Sequence, residues 1–486
     1  MQAAARATVC YWGALSQWVF TDKGYSDVSY FKDDLHAQVQ VYSLSLIFSL
    51  WHEKHYRCQS FQQDMLDNLR NVALPGTGIP LSLFCYSWWL CLAFVLFANP
   101  LVCLLGAVNR VRKAGGEGGL TAVCMHYTEH LLHPLDWFSL WRLNCRLVSL
   151  HSLLLRPKGY TLEDKWAFLK HGKEVGVPVS PYSSEPRSLV VKNKNIEGGM
   201  GIYFYENAVH GGNWILQDRL ENAPWLDELL PTPAPLSTMR VITSSCWTLS
   251  KHAHDGEFEA VEYGLPTDAY YPDVDSAASG PGDITDDKKG KNKNKNNQNS
   301  KKKGGKAKYK EGHSLETAQK YVKPLSAVLR LGRAKATTDH TSVLFDVDTE
   351  TGKVKAGRSN SHWYELGIDK VLRCSWLPQG DGFTCHPDTP DKPPVTGYNI
   401  PDMQAALDIV VQSHYNMLAD VPMVGWDVAF CKNGIYLLEV NLSCNFFMGT
   451  FDVPAYLHFV DDQFCDLEAR AAAAAASDGA KKEKKE

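Results

Sequence analysis

Between Asn71 and Asn109 the chain carries no Asp, Glu, Lys, Arg or His. It has thirteen cysteines and no Cys-x-x-Cys pair, and it lacks the Gly-x-x-x-x-Gly-Lys-Ser/Thr phosphate loop. Each absence removes something. An odd number of scattered cysteines in 486 residues is not a disulfide framework; reduced thiols are expected, and no thiolate metal site is suggested. Without a Walker loop, a nucleotide has to be held by another device. The net charge of -4 and pI near 6.5 give no general attraction to nucleic acid.

The missing charges leave the apolar run Ile79 to Val108. About 20 such residues cross a bilayer. Asn99-Pro100 interrupts the run, which predicts either one kinked span ending near Ala98 or a re-entrant hairpin bent at the proline. Trp88, Trp89, Phe94 and Phe97 leave no polar face, which argues against a buried core helix. Arg110, Arg112 and Lys113 follow the run and only Arg70 lies near its start, so its C-terminal side is expected in the cytosol. The first residues, with Arg6 and no acid before Asp22, read as an ordinary N-terminal segment rather than a transit peptide.

Residues 1–70 read as helical, 71–109 as transmembrane or re-entrant, and 110–134 as a linker or helix. His126, His130 and His133 share a helix face; with no matching carboxylate cluster they read as a polar face rather than the centre of a metal oxidase. A globular domain is expected over 135–272 and 314–468. The Lys-rich insert 273–313 and the tail 469–486 are expected to be disordered. The insert reads as a solvated surface loop, with a polybasic arm for anionic lipid or RNA as the other reading. Met403, Leu407, Val410, Val411, Met417 and Leu418 make one helical stripe that ends before Pro422.

The hairpin "GWDVAFCKNGIYLLEVNLS" (425–443) follows. Glu439 and Asn441 alternate onto one face, an oxygen-donor set that suits a hard cation such as Mg²⁺. Asp427 joins them only if it is paired with Glu439. That requires a three-residue Lys432-Asn433-Gly434 turn, because a two-residue Asn433-Gly434 turn pairs Asp427 with Val440. The competing reading is acids facing a buried Arg or Lys. Upstream, "VVKNKNIEGGMGI" delivers Lys192 on a strand before Gly198, Gly199 and Gly201, which let backbone approach a phosphate.

These features, with "EDKWAFLKHGKEVGVPV", "WILQDRLENAPWLDELLP", "STMRVITS", "AVLRLGRAKATTDH" and "HPDTPDKPPVTGYNIPD", resemble the ATP-grasp superfamily over roughly Leu135 to Val460. The resemblance is to the branch related to α-L-glutamate ligases and sugar-transfer clusters. Asp339-His340 stands where this branch commonly has Asp-Asn. The resemblance implies an α+β fold, with two α+β subdomains gripping ATP, preceded here by a mostly helical, membrane-associated N-terminal region. It implies that Lys192 and Lys165 hold ATP phosphates under a flap of Gly198, Gly199 and Gly201. Gln217, Asp218 and Leu220 would meet adenine, and Arg240 and Arg330 would stabilise the transferring phosphoryl group. Asp427, Glu439 and Asn441 would carry Mg²⁺. The implied activity is ligation, in which a carboxylate substrate is activated as an acyl phosphate and attacked by an amine or another nucleophile. The alternative is a non-catalytic nucleotide-binding module. Membrane lipid is the further expected partner, with the ATP-grasp domain facing the cytosol.

Overall fold

In the computed structural model, a six-stranded antiparallel sheet lies between two hydrophobic cores. The structure describes residues 1–486 apart from 71, 73–78, 157–158, 183–186, 193–201, 209, 212–213, 216, 250–313, 337–341, 360–381, 448 and 484–486. The Lys-rich insert therefore lies outside the described residues. Residues Met1–Leu249 and His313–Glu486 form one compact unit, so the N-terminal helices share a core with the sheet.

Two short antiparallel pairs come first, β1 (Arg187–Lys192) with β2 (Ile202–Ala208) and β3 (His210–Gly211) with β4 (Trp214–Ile215). The large sheet contains β5 (Thr238–Ser245), β6 (Val322–Leu331), β7 (Val343–Val347), β8 (Val354–Ser359), β9 (Met423–Cys431) and β10 (Gly434–Asn441). Its order is β10-β9-β5-β6-β7-β8. Side chains alternate across it. Met239, Val241, Leu329, Phe345, Trp426 and Val428 enter one core. Arg240, Arg330 and Asp427 occupy the other face.

The helices are α1 (Gln2–Phe20), α2 (Leu35–Ser49), α3 (Phe61–Leu69), α4 (Trp88–Lys113), α5 (Gly119–Leu132), α6 (Trp137–Leu155), α7 (Lys165–Glu174), α8 (Leu315–Tyr321), α9 (Met403–Leu418) and α10 (Val453–Glu483). Asp34, Ser60, Asp136, Asp164 and Ser314 cap α2, α3, α6, α7 and α8 by accepting from backbone N–H groups that have no partner within the helix. The apolar stripe of α9 lies on the sheet, where buried His414 meets Thr243 Oγ1 at 2.7 Å and the Val421 carbonyl at 3.0 Å. Helices α1, α2, α6 and α10 build the second core; the rings of Tyr25, Tyr42 and Phe464 meet there at 4.7–5.4 Å.

The expectation that Asn99-Pro100 stops or reverses the chain is not met. Helix α4 runs through it to Lys113, by way of a π-helical turn at Phe94–Ala98. Pro100 has no N–H, so the Leu96 carbonyl four residues back loses its helical donor, and the π-helical turn sends Asn99 N–H to Phe94 O, which leaves Val95 O open. Helix α1 supplies a donor to each. Tyr11 Oη donates to Val95 O at 2.7 Å and Trp12 Nε1 donates to Leu96 O at 2.8 Å. The tail also differs from its expected disorder: α10 continues to Glu483 through an alanine run whose high helix propensity sustains it while the side chains of 472–476 stay exposed.

Candidate functional site

The strongest constellation of charged groups predicted from the sequence lies on the sheet face turned away from α9. Asp427 and Glu439 are direct cross-strand partners. The pairing is as expected, but its cause is different. Cys431 pairs with Gly434 across a tight two-residue Lys432-Asn433 turn, and a bulge between Leu437 and Glu439 then shifts the register by one. The bulge moves Glu439 and Asn441 to the Asp427 face while Leu437 and Val440 stay in the core. It sits where Leu437 also bonds the neighbouring segment, donating to Pro178 O at 2.8 Å and accepting from Ser180 N at 3.2 Å.

The structure assigns Asp427 to two cations. Arg240 Nε donates to its Oδ1 at 2.5 Å and Arg330 Nη2 to its Oδ2 at 2.9 Å. Their side chains are only 7% (Arg240), 12% (Arg330) and 8% (Asp427) exposed. Burial alone would raise the Asp427 pKa; the two guanidiniums outweigh it and hold the carboxyl down to about 2. Asp427 thus fits the competing reading, an acid facing buried arginines, and not the shared Mg²⁺ site: both of its oxygens are engaged by guanidinium groups. Glu439 and Asn441 are different. Glu439 is 28% exposed, accepts from Asn441 Nδ2 at 3.3 Å, and lies 2.9 Å from Lys165 Nζ. A partly exposed carboxylate and an adjacent amide oxygen still fit a hard cation.

Two features hold the triad. Gly425 lies beside it, where a Cβ would come within 2.6 Å of Cys444 Cβ and 3.3 Å of Arg240 Nη1. Phe447 lies over both guanidiniums, with its ring centre 5.2 Å from Arg240 Cζ and 5.9 Å from Arg330 Cζ. The segment carrying Phe447 is tied to the sheet by Thr450, which donates to Asp346 through N and Oγ1, both at 2.8 Å.

The remaining predicted residues are more scattered. Lys192 ends β1 opposite Ile202, and its side chain lies outside the described atoms, as do Gly198, Gly199 and Gly201 entirely. Gln217 bridges to Tyr182; Gln217 and Asp218 are exposed and Leu220 is half-buried. Asp339 and His340 lie outside the described residues. The histidine row on α5 is divided among partners: His126 pairs with Glu129 at 2.9 Å and His133 with Asp34 at 2.8 Å.

Sequence reasoning missed Arg57 and Glu163. Half-buried Glu163 accepts from Leu442 N at 2.9 Å and pairs with Arg57 Nε at 2.8 Å, and Arg57 also bonds Ser443 Oγ. This pair clamps the chain just after Asn441, and nothing in the local sequence of either residue announces it. A second cluster, His55, Cys58 and Asp64, brings possible ligand atoms within 4.8 Å of one another. It is poorly suited to a cation. Arg57 N donates to His55 Nδ1 at 3.2 Å, which takes up that lone pair, and the Arg57 and Arg146 guanidiniums put positive charge beside the ring.

No protein-family model matches the chain, and comparison with curated proteins and with solved structures gives no match.

Proposed function

We propose that the chain is an ATP- and Mg²⁺-dependent ligase of the ATP-grasp type, attached to a membrane through α4. One observation carries the reading: Asp427 and Glu439 face each other across β9 and β10 with Arg240, Arg330 and Lys165 around them. Cations and a partly exposed carboxylate on one sheet face are what a polyphosphate and its metal ion require. Mg²⁺, held by Glu439 and Asn441, would neutralise phosphate charge. Lys165 and Lys192 bind phosphate oxygens. The carboxylate substrate attacks the γ-phosphorus and ADP leaves, giving an acyl phosphate; an amine or other nucleophile then adds to the acyl carbon and expels phosphate. Arg240 and Arg330 stabilise the transferring phosphoryl group. Asp427 is a positioning residue: it takes only Nε of Arg240, which leaves the terminal nitrogens of that guanidinium for an anion.

The membrane reading rests on one helix, α4, long and apolar enough to cross a bilayer. Trp89, Phe97, Leu101, Leu104, Leu105 and Val108 are exposed along it, and Arg110, Arg112 and Lys113 close its C-terminal end. Release of the protein by carbonate extraction would count against attachment.

Nucleotide binding without turnover is the second reading. The Phe447 cover over the guanidiniums favours it, since catalysis requires that cover to lift. ADP release, screened with candidate carboxylic acids and amines, separates the two. Glu439→Gln is expected to abolish substrate-stimulated ADP release while circular dichroism stays unchanged; equal release by variant and parent would remove the ligase reading.

A further inference from the structure

Behind α4 lies a cavity of about 630 Å³, inside the range of roughly 300–1,000 Å³ typical of ligand sites. Its walls are mostly apolar. Helix α4 contributes Phe94, Val95 and Val102 from the face opposite its exposed residues, and Leu44, Leu140 and Phe451 close other sides. Two guanidiniums interrupt this apolar lining. Arg142 and Arg146 stand one turn apart on α6, on the same helix face.

Neither arginine has a carboxylate within ion-pair distance among the described residues. Arg142 donates to neutral oxygens only, Nε to Ser43 Oγ at 3.1 Å and Nη2 to Gln40 Oε1 at 2.7 Å. Arg146 is 7% exposed. Among the described residues it donates to the Met65 thioether at 3.6 Å, its Nε is buried with no partner there, and its guanidinium lies 4.4 Å from the centre of the Phe61 ring. Burial lowers the pKa of both, that of Arg142 to about 10.

The two acids lining the cavity are already engaged. Asp64 accepts from Asn68 Nδ2 at 2.8 Å; burial raises its pKa, and it attracts Arg57 and Arg146 without reaching ion-pair distance of Arg146. Asp136 caps α6 through Phe138 N and Ser139 N. A buried charge without a counterion is expensive, and a well-packed core avoids it. An anion from outside the chain supplies the missing partner.

We propose that this cavity binds a long-chain anionic amphiphile, with its alkyl chain along the inner face of α4 and its acidic head on Arg146 and Arg142. The shared chemistry is an alkyl chain ending in a carboxylate or a phosphate. Aliphatic walls take the chain, and two guanidiniums suit either planar or tetrahedral oxyanions. This assignment does not depend on the ligase reading.

The test uses the full-length protein, stripped of lipid and held in a sugar-headed surfactant. A fluorescent sixteen-carbon carboxylate is the probe, displaced in turn by hexadecanoate, hexadecyl phosphate and hexadecanol. Saturable probe binding is expected, with both anions displacing it ~10-fold or more better than the alcohol, the difference a charge-assisted bond makes. Whichever anion binds more tightly identifies the head. Val102→Trp should fill the cavity and abolish binding of all three. Arg146→Met should erase the preference for anions yet keep binding of the alcohol, with thermal stability equal or higher because an uncompensated buried charge is gone. Absence of probe binding by the parent protein would overturn the proposal. So would equal affinity for alcohol and anions, or an Arg146→Met variant that melts lower and keeps its anion preference.

Discussion

Replacing Asp427 by Asn removes one charge from a buried group of three and keeps its shape. Two guanidiniums, 7% and 12% exposed, then face a neutral amide. Breaking a buried pair in this way costs about 3–5 kcal/mol, because the stranded charge has lost its solvent as well as its partner. The depressed pKa of Asp427, which the same two guanidiniums cause, points in the same direction. Its carboxyl is held at about 2 against an ordinary 3.8, a preference for the charged form of about 2 kcal/mol. Because the folded pKa is the lower one, that contribution is complete above about pH 4 and is lost as pH falls through about 2. Chemical denaturation of the solubilised protein at pH 7 should therefore show Asp427→Asn less stable by ~3 kcal/mol or more, with the difference shrinking in acid. Combining Asp427→Leu with Arg240→Met and Arg330→Met should recover most of the loss, since an apolar replacement strands no charge. A loss under about 1 kcal/mol for Asp427→Asn would refute the triad as a buried, mutually dependent unit.

Lys165→Met should separate chemistry from stability: the side chain is 67% exposed, so unfolding should shift by no more than ~0.5 kcal/mol, while ADP release falls by ~10-fold or more. Gly425→Ala should destabilise by ~1–3 kcal/mol in thermal or chemical melts, because its Cβ lands 2.6 Å from Cys444 Cβ. Tyr11→Phe strands the buried Val95 carbonyl and should cost ~1–3 kcal/mol in thermal or chemical melts, whereas Trp12→Phe, which breaks an exposed bond to Leu96 O, should cost less than ~1 kcal/mol.

Local pattern carried much of the sheet and of α9. The stripe from Met403 to Leu418 and the strand runs on either side of Lys432-Asn433 are each visible within a few residues. Pairing of Asp427 with Glu439 was legible, but its cause was not. A three-residue turn and a two-residue turn followed by a bulge give the same register, and the bulge depends on the Pro178–Ser180 segment, remote in sequence. That Arg240 and Arg330 saturate Asp427 required knowing that β9 lies beside β5 and β5 beside β6. Arg57, Glu163, Arg142 and Arg146 gave no signal because their neighbours come from distant parts of the chain. The Pro100 misreading has the same origin. Proline rules describe a helix alone, and here α1 supplies the donors missing before the proline.

The central claim, a nucleotide site on the sheet face that carries Glu439, is tested most directly by equilibrium binding of a fluorescent ATP analogue to the purified full-length protein, with and without Mg²⁺. Saturable binding that strengthens with Mg²⁺, is displaced by ATP, and is lost in a Lys165→Met, Lys192→Ala double variant is the predicted result. No ATP-displaceable binding under either condition, or binding indifferent to both lysines, would contradict the account.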